Sequence, residues 1–255
     1  MTLARDLAEI SKRLSVRLRS IRIDEPVTHV YDPTHYAIAA HEAYLACAQR
    51  GVDALMLGMN PGPWGMAQTG VPFGEVAAVR DYLEIDETVG KPRKEHPKRP
   101  VLGLECVRSE VSGRRLWDWV SSSFQSPAHF FSHFFIWNWC PLAFMEESGR
   151  NRTPDKLPLA TRRELEAACD DALREIVDVI QPRAIIGVGA FARKRAQAAM
   201  VGRDIPIHQI LHPSPASPAA NRGWQEQIER QLGEIGLPRP VAVRCLDSEI
   251  RFTAS

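Results

Sequence analysis

Two carboxamides and an imidazole stand where three apolar runs end. Asn60 follows DALMLGM (53–59), Asn138 interrupts FFIWNW (134–139), and His212 follows IPIHQIL (205–211). A side-chain amide carries an acceptor and donors in one plane, so it can hold a water or read the edge of a flat ring. An imidazole can donate to negative charge growing on a leaving group. Each residue also has a plain structural use. Asn60 can cap a tight turn, Asn138 can satisfy neighbouring backbone, and His212 can simply finish a strand. A buried amide must in any case find partners, because leaving it unpaired costs a few kcal/mol.

The loops around these residues narrow the chemistry. GMNPGPWGMAQTGVPFGE (58–75) combines Pro-Gly and Gly-Pro steps with Gly65, Gly70 and Gly74, so its backbone can approach a ligand closely. Phe73, between Pro72 and Gly74, offers a ring to one wall of a flat pocket. His212 leads into Pro213-Ser214-Pro215-Ala216-Ser217-Pro218, where the prolines stiffen a loop that can push without folding back.

The elements that would carry these loops alternate. Leu3, Leu7, Ile10, Leu14 and Leu18 mark an amphipathic helix, and 34–51 reads as a second one stopped by Gly51. Further helices are expected over 74–85, 114–124, 159–180 with a Thr161–Glu164 capping box, and about 221–236. Short apolar strands end near 58, 139, 190 and 211. This order predicts one α/β domain over 1–255: a three-layer α/β/α sandwich on a central, mainly parallel four-stranded sheet. In such folds ligands gather beyond the carboxyl ends of the strands, which is where Asn60, Asn138 and His212 lie.

Composition excludes some classes. No apolar run approaches the roughly 20 residues that span a bilayer, and the charged first helix is unlike a secretory leader. A cytoplasmic protein is expected, nucleoid-associated in a bacterium or nuclear in a eukaryote. Cys47, Cys106, Cys140, Cys169 and Cys245 form no C-x-x-C pair, so neither a disulfide framework nor a metal site is expected. A metal-dependent nuclease is disfavoured for want of an Asp/Glu/His cluster at the strand ends. The net charge of +1 does not by itself announce nucleic acid, but KPRKEHPKRP (91–100) gathers Lys91, Arg93, Lys94, Lys98 and Arg99. Alone, that run reads as a solvated loop; beside DNA it would contact phosphate. Gly187, Gly189 and Ala192 match the G-x-G-x-x-A pattern of dinucleotide-binding turns, yet the next strand ends in His212 instead of the acidic ribose ligand.

Taken together, the motifs resemble one family, the single-strand-selective monofunctional uracil-DNA glycosylases of the uracil-DNA glycosylase superfamily. GMNPGPWGMAQTGVPFGEV carries most of the likeness, with SEVSGRRLW (109–117), NWCPLAFMEESGRNRTPDKLP (138–158) and HPSPASPAANRGW (212–224) in support, over roughly 34–236.

The resemblance implies a glycosylase that flips uracil, or a C5-oxidised uracil such as 5-hydroxymethyluracil, out of single- or double-stranded DNA and hydrolyses its glycosidic bond. Asn60 would orient the attacking water, and His212, helped by the backbone N–H of Met59, would stabilise charge on the base's O2. Phe73 would stack on the base and Asn138 would read its edge. Gly62 and Met66 would line the C5 side, where a water bonds a hydroxymethyl group but is evicted by thymine's methyl. No lysine occupies a motif position, so the product would be an abasic site without strand cleavage. Residues 213–218 match the family's wedge, with Ala216 where vertebrate members carry arginine; Arg222 would then help, and the helix start near Asn221 would receive a phosphate. Trp64 stands where relatives have phenylalanine. No cofactor, no membrane partner and a monomer are expected. A non-catalytic lesion- or single-strand-binding relative is the alternative.

Overall fold

The computed structural model describes residues 2–237; Cys245 and the stretch after Pro238, to which the sequence assigned no role, lie outside the described residues. In chain order the elements are α1 (Leu3–Arg19), β1 (Val27–Tyr31), α2 (Pro33–Tyr36), α3 (Ile38–Leu45), β2 (Ala54–Gly58), α4 (Met66–Thr69), α5 (Val111–Ser123) and α6 (Pro127–His133). There follow β3 (Phe134–Asn138), β4 (Ala143–Glu146), β5 (Asn151–Arg152), α7 (Leu159–Ile180), β6 (Ile185–Val188), α8 (Ala190–Ala199), β7 (Ile207–Ile210) and α9 (Trp224–Glu234).

The central sheet has the order β3-β2-β6-β7 and every pairing in it is parallel. The residues of β2, β3 and β6 are all buried, as expected for strands covered on both faces. α1 packs on α7, and α7 on α8, which lies against β6; α5 and α9 form a separate pair. Trp119 of α5 stands edge-on to Trp224 of α9 and to Phe134 of β3, at 6.4 and 6.3 Å between centroids. Trp139 is tied to Asp170 of α7 at 2.7 Å, and Arg195 of α8 closes the ion pair on that carboxylate. The expected α/β sandwich is present, with its four strand ends on one edge.

Local readings needed correction where tertiary contacts overrode spacing. The helix expected over 34–51 is broken at Ala37, beside Gly70, where a Cβ would lie 2.9 Å from the Ala37 carbonyl, and Gly51 instead donates to Ile180 O at 2.7 Å. The helix over 74–85 contracts to a short turn that widens to π geometry over Ala78–Tyr82 and is ended by Glu84 at φ 56°. Thr161 forms no capping box: it lies inside the first turn of α7 and donates to Arg22 O at 3.4 Å. The expected helix start near Asn221 is a 3₁₀ turn, Ala220–Arg222, and Gly223 at φ 97° delays α9 to Trp224. α6 and an antiparallel sheet of order β1-β4-β5 had no counterpart in the sequence reading.

Candidate active site

Because the four central strands are parallel, their carboxyl ends share one edge. β2 delivers Met59 and Asn60, β3 ends on Asn138, and β7 leads to His212. These residues, with Gly62 and Phe73, line a cavity of about 360 Å³, the size of a small-ligand site.

Phe73 forms a wall. Its backbone takes φ 54°, a left-handed conformation that costs a bulky residue energy and persists only when neighbours over-determine it. Trp117 supplies part of that restraint by donating Nε1–H to Phe73 O at 3.1 Å. Gly113 permits the approach, since a Cβ there would lie 2.2 Å from the same oxygen. Gly58 plays the matching part at the strand end: a Cβ would collide with Asn138 Oδ1 at 2.2 Å and with the Phe73 ring at 2.6 Å. Amide and ring therefore meet over a bare backbone.

Asn138 is 4% exposed and donates Nδ2–H to Met66 Sδ at 3.2 Å, which fixes which way its amide points. Met66 itself stands behind Asn138 and not in the cavity wall. Asn60 donates Nδ2–H to Leu142 O at 3.2 Å, leaving Oδ1 as its free acceptor. The Met59 N–H finds no acceptor among the described residues.

His212 is equally constrained. Ser214 N–H donates to its Nδ1 at 3.0 Å, so the neutral ring carries its proton on Nε2. Burial pushes its pKa down to about 4, so the ring is neutral at physiological pH. Its ring centroid lies 6.2 Å from that of Phe73. Gly189, at φ 89°, makes room for it, because a Cβ there would come within 3.1 Å of His212 Cβ. Gly187 likewise admits Arg193 N of α8, so this glycine pair serves close packing.

The turn after His212 is tied down. Pro213 is buried and the tip, Pro215 and Ala216, is exposed. Ser214 Oγ accepts from Ala216 N–H at 3.1 Å, and Ser217 N–H donates to Ser214 O at 3.0 Å. Arg115, which the sequence reading passed over, donates to Pro213 O at 3.0 Å and to Asn221 Oδ1 at 2.8 Å. Asn221 in turn donates to Pro215 O at 2.9 Å, so it braces the tip and does not head a helix that could receive phosphate. Arg222 is exposed.

Two pocket residues were also missed. Glu110, just before α5, places its carboxyl where side chains at Gly62 and Gly65 would lie, with Oε1 1.9 Å from a Cβ at Gly62. The room beside Gly62 therefore holds a carboxyl and is not open. Burial, then the negative charge of Glu75, raises the Glu110 pKa to about 7. Asn151 of β5 donates Nδ2–H to Pro61 O at 3.3 Å, while its Oδ1 is buried without a partner. The segments bearing both were within the informative strings; only β4-β5 pairing and the α5 start show that they reach the cavity. Among the described residues no group of His, Cys, Asp and Glu could hold a metal ion, and no helix is long and apolar enough to cross a membrane. The four cysteines among them are unpaired.

Residues 47–232 match the family model of the uracil DNA glycosylase superfamily. The chain is 46% identical over 239 residues to the single-strand selective monofunctional uracil-DNA glycosylase of Rattus norvegicus, covering 92% of this chain and 86% of that protein. The Bos taurus counterpart is 45% identical, with 92% and 88% covered. The crystal structure of wild-type Pedobacter heparinus SMUG2 superposes with a TM-score of 0.68 at 17% identity, over 92% of this chain and 97% of that one, a likeness of fold.

Proposed function

The chain belongs to the uracil DNA glycosylase superfamily, and from that premise we propose that it is a monofunctional uracil-DNA glycosylase acting on a base flipped out of DNA. The observation that carries this reading is the presence, in the lining of one cavity, of a free amide acceptor on Asn60 and a neutral imidazole donor on His212.

The substrate uracil lies against Phe73 with its N3–O4 edge toward Asn138. The amide accepts from N3–H and donates to O4, and the Met66 contact that pins it opposes cytosine, whose pattern at those atoms is reversed. Asn60 Oδ1 accepts one proton of the attacking water, and the unpartnered Asn151 Oδ1 is a second acceptor for it. With its protons held, the water presents a lone pair to C1′. The C1′–O bond forms as the C1′–N1 pair withdraws into the base, and His212 Nε2–H and Met59 N–H donate to the charge gathering on O2. The water's proton leaves to bulk solvent, so water and deoxyuridine become the C1′ hydroxyl of the abasic sugar, a uracil anion and a solvated proton. No lysine among the described residues lines the cavity, so no covalent link to DNA forms and the strand is left with an abasic site.

The C5 side departs from a purely water-filled slot. Glu110 beside Gly62 gives a polar partner to a 5-hydroxymethyl group, and none to thymine's methyl. The enzyme accordingly cuts 5-hydroxymethyluracil and spares thymine. Ala216 at the exposed tip of the wedge is a poor plug for an opened duplex, which favours single strands and weakly paired U:G sites. A labelled oligonucleotide carrying uracil, 5-hydroxymethyluracil or thymine, incubated and then treated with alkali, tests all of this. Uracil left intact in every DNA context overturns the enzyme in favour of a non-catalytic binder; equal cutting of thymine overturns the pocket.

A further inference from the structure

A second cavity, of about 540 Å³, lies between the 60–65 loop and the 97–108 segment. Its centre is Trp64, with the Arg108 guanidinium 4.5 Å and that of Arg99 5.2 Å from the ring centroid. Lys98 stands beside them, and Val107 is 96% exposed at the rim. No carboxylate among the described residues pairs with Lys98, Arg99 or Arg108. The one acidic residue of the basic loop, Glu95, is engaged by Lys91 at 3.6 Å and by Val101 N–H at 2.7 Å.

The basic loop is built in, not draped over the surface. Tyr31 OH donates to Arg99 O at 2.8 Å and accepts from His96 N–H at 2.6 Å. Gln68, fully buried, donates to both Pro63 O and Pro100 O at 2.9 Å and accepts from Leu102 N–H at 2.7 Å. That amide staples the active-site loop to the basic loop. The groove and the base pocket are built on the same two chain segments: Trp64 lies two residues beyond Gly62, and Arg108 two residues before Glu110, and Gly62 and Glu110 line the pocket.

We propose that this groove docks the single-stranded DNA segment flanking the flipped nucleotide, an inference that rests on the DNA-glycosylase reading. The Arg108 guanidinium over the indole keeps its in-plane N–H groups for phosphate oxygens, whereas Arg99 donates Nε–H to Gly149 O at 2.9 Å and Nη1–H to Lys98 O at 3.0 Å and so anchors the loop beside the ring. The remaining indole surface and Val107 offer apolar contact to an unstacked base, which a continuous duplex would not present. Unpaired cations interleaved with an aromatic ring form a surface for a chain that alternates charge and flat rings.

The test measures fluorescence anisotropy of a uracil-free single strand across a salt series, with excision of uracil assayed in parallel. Each phosphate contact to a single strand contributes about 0.7 to the slope of log affinity against log salt. Lys98→Ala/Arg108→Ala should therefore flatten the slope by about 1.4, while Arg5→Ala/Lys12→Ala, exposed cations of α1, should leave it as in the wild type. Trp64→Ala should weaken binding by at least about five-fold. Melting temperatures check that each variant is folded. A slope equal in wild type and Lys98→Ala/Arg108→Ala overturns the groove, whether or not uracil is released. Absence of uracil release with the expected slopes overturns the glycosylase reading and leaves the groove standing.

Discussion

Replacing His212 by alanine probes the electrostatic half of the site. Ser214 N–H holds Nδ1 as an acceptor and burial lowers the pKa to about 4, so the group facing the pocket is a neutral N–H. At pH 7 an imidazolium with that pKa is populated to about 0.1%, a cost of about 4 kcal/mol at 1.36 kcal/mol per pH unit. A neutral donor needs no such promotion, and one preorganised donor to a developing oxyanion contributes about 2.7–4 kcal/mol. His212→Ala should thus lower the single-turnover rate on a uracil-containing single strand by about 10²–10³, with affinity for the strand changed far less. His212→Asn, which retains a donor, should recover part of the rate. The ratio of wild-type to His212→Ala rates should stay level from about pH 5 to pH 9, and it cancels the titration of Glu110, which both proteins share. A ratio that falls tenfold per unit above pH 4 would show that the imidazolium is the working form, and the tautomer argument would be wrong.

Other perturbations have equally definite outcomes. Asn60→Ala should bind uracil-containing DNA yet lose about 10² or more in single-turnover rate, and Asn151→Ala should lose less, since it removes only the second acceptor for the water. Glu110→Gln should remove a fall in rate on raising the pH through about 7, where a carboxylate would form beside a base leaving as an anion. The same variant should change the ratio of 5-hydroxymethyluracil to uracil excision, read on paired oligonucleotides. Acid should destabilise the fold through His41, which is 2% exposed, donates Nδ1–H to Gly70 O and bonds Ser11 Oγ through Nε2, each at 2.9 Å. Burial lowers its pKa to about 4, so the unfolded chain binds the extra proton. Stability should be lost as the pH falls from about 6.5 toward 4, by about 3 kcal/mol in the limit, and melting of His41→Gln should show a smaller acid shift.

Much of this protein follows from local sequence. The apolar runs ending at Gly58, Asn138 and Val188 pair as parallel strands buried on both faces, which continuous hydrophobicity encodes directly, while the run ending at Ile210 forms the half-exposed edge strand of the same parallel sheet. Parallel strands then bring Asn60, Asn138 and His212 to one edge, so the principal candidate residues were legible as polar groups at strand ends. Phe73 was legible too, from the glycine and proline around it. What short-range pattern could not show is what arrives from elsewhere in the chain. Glu110 and Asn151 reach the cavity only because α5 starts beside the Gly62 loop and β5 pairs with β4. Helix 34–51 is interrupted at Ala37, where the chain packs so closely on Gly70 that a Cβ on that glycine would lie 2.9 Å from Ala37 O, and Asn221 braces the 213–218 turn in a 3₁₀ segment that Gly223 separates from α9. Sequence spacing fixes which face of an element is apolar, and so which elements must pack. Which carboxyl fills the space beside a glycine, and which ring nitrogen keeps its proton, depends on contacts between residues far apart in the chain, and the tertiary structure alone decides those.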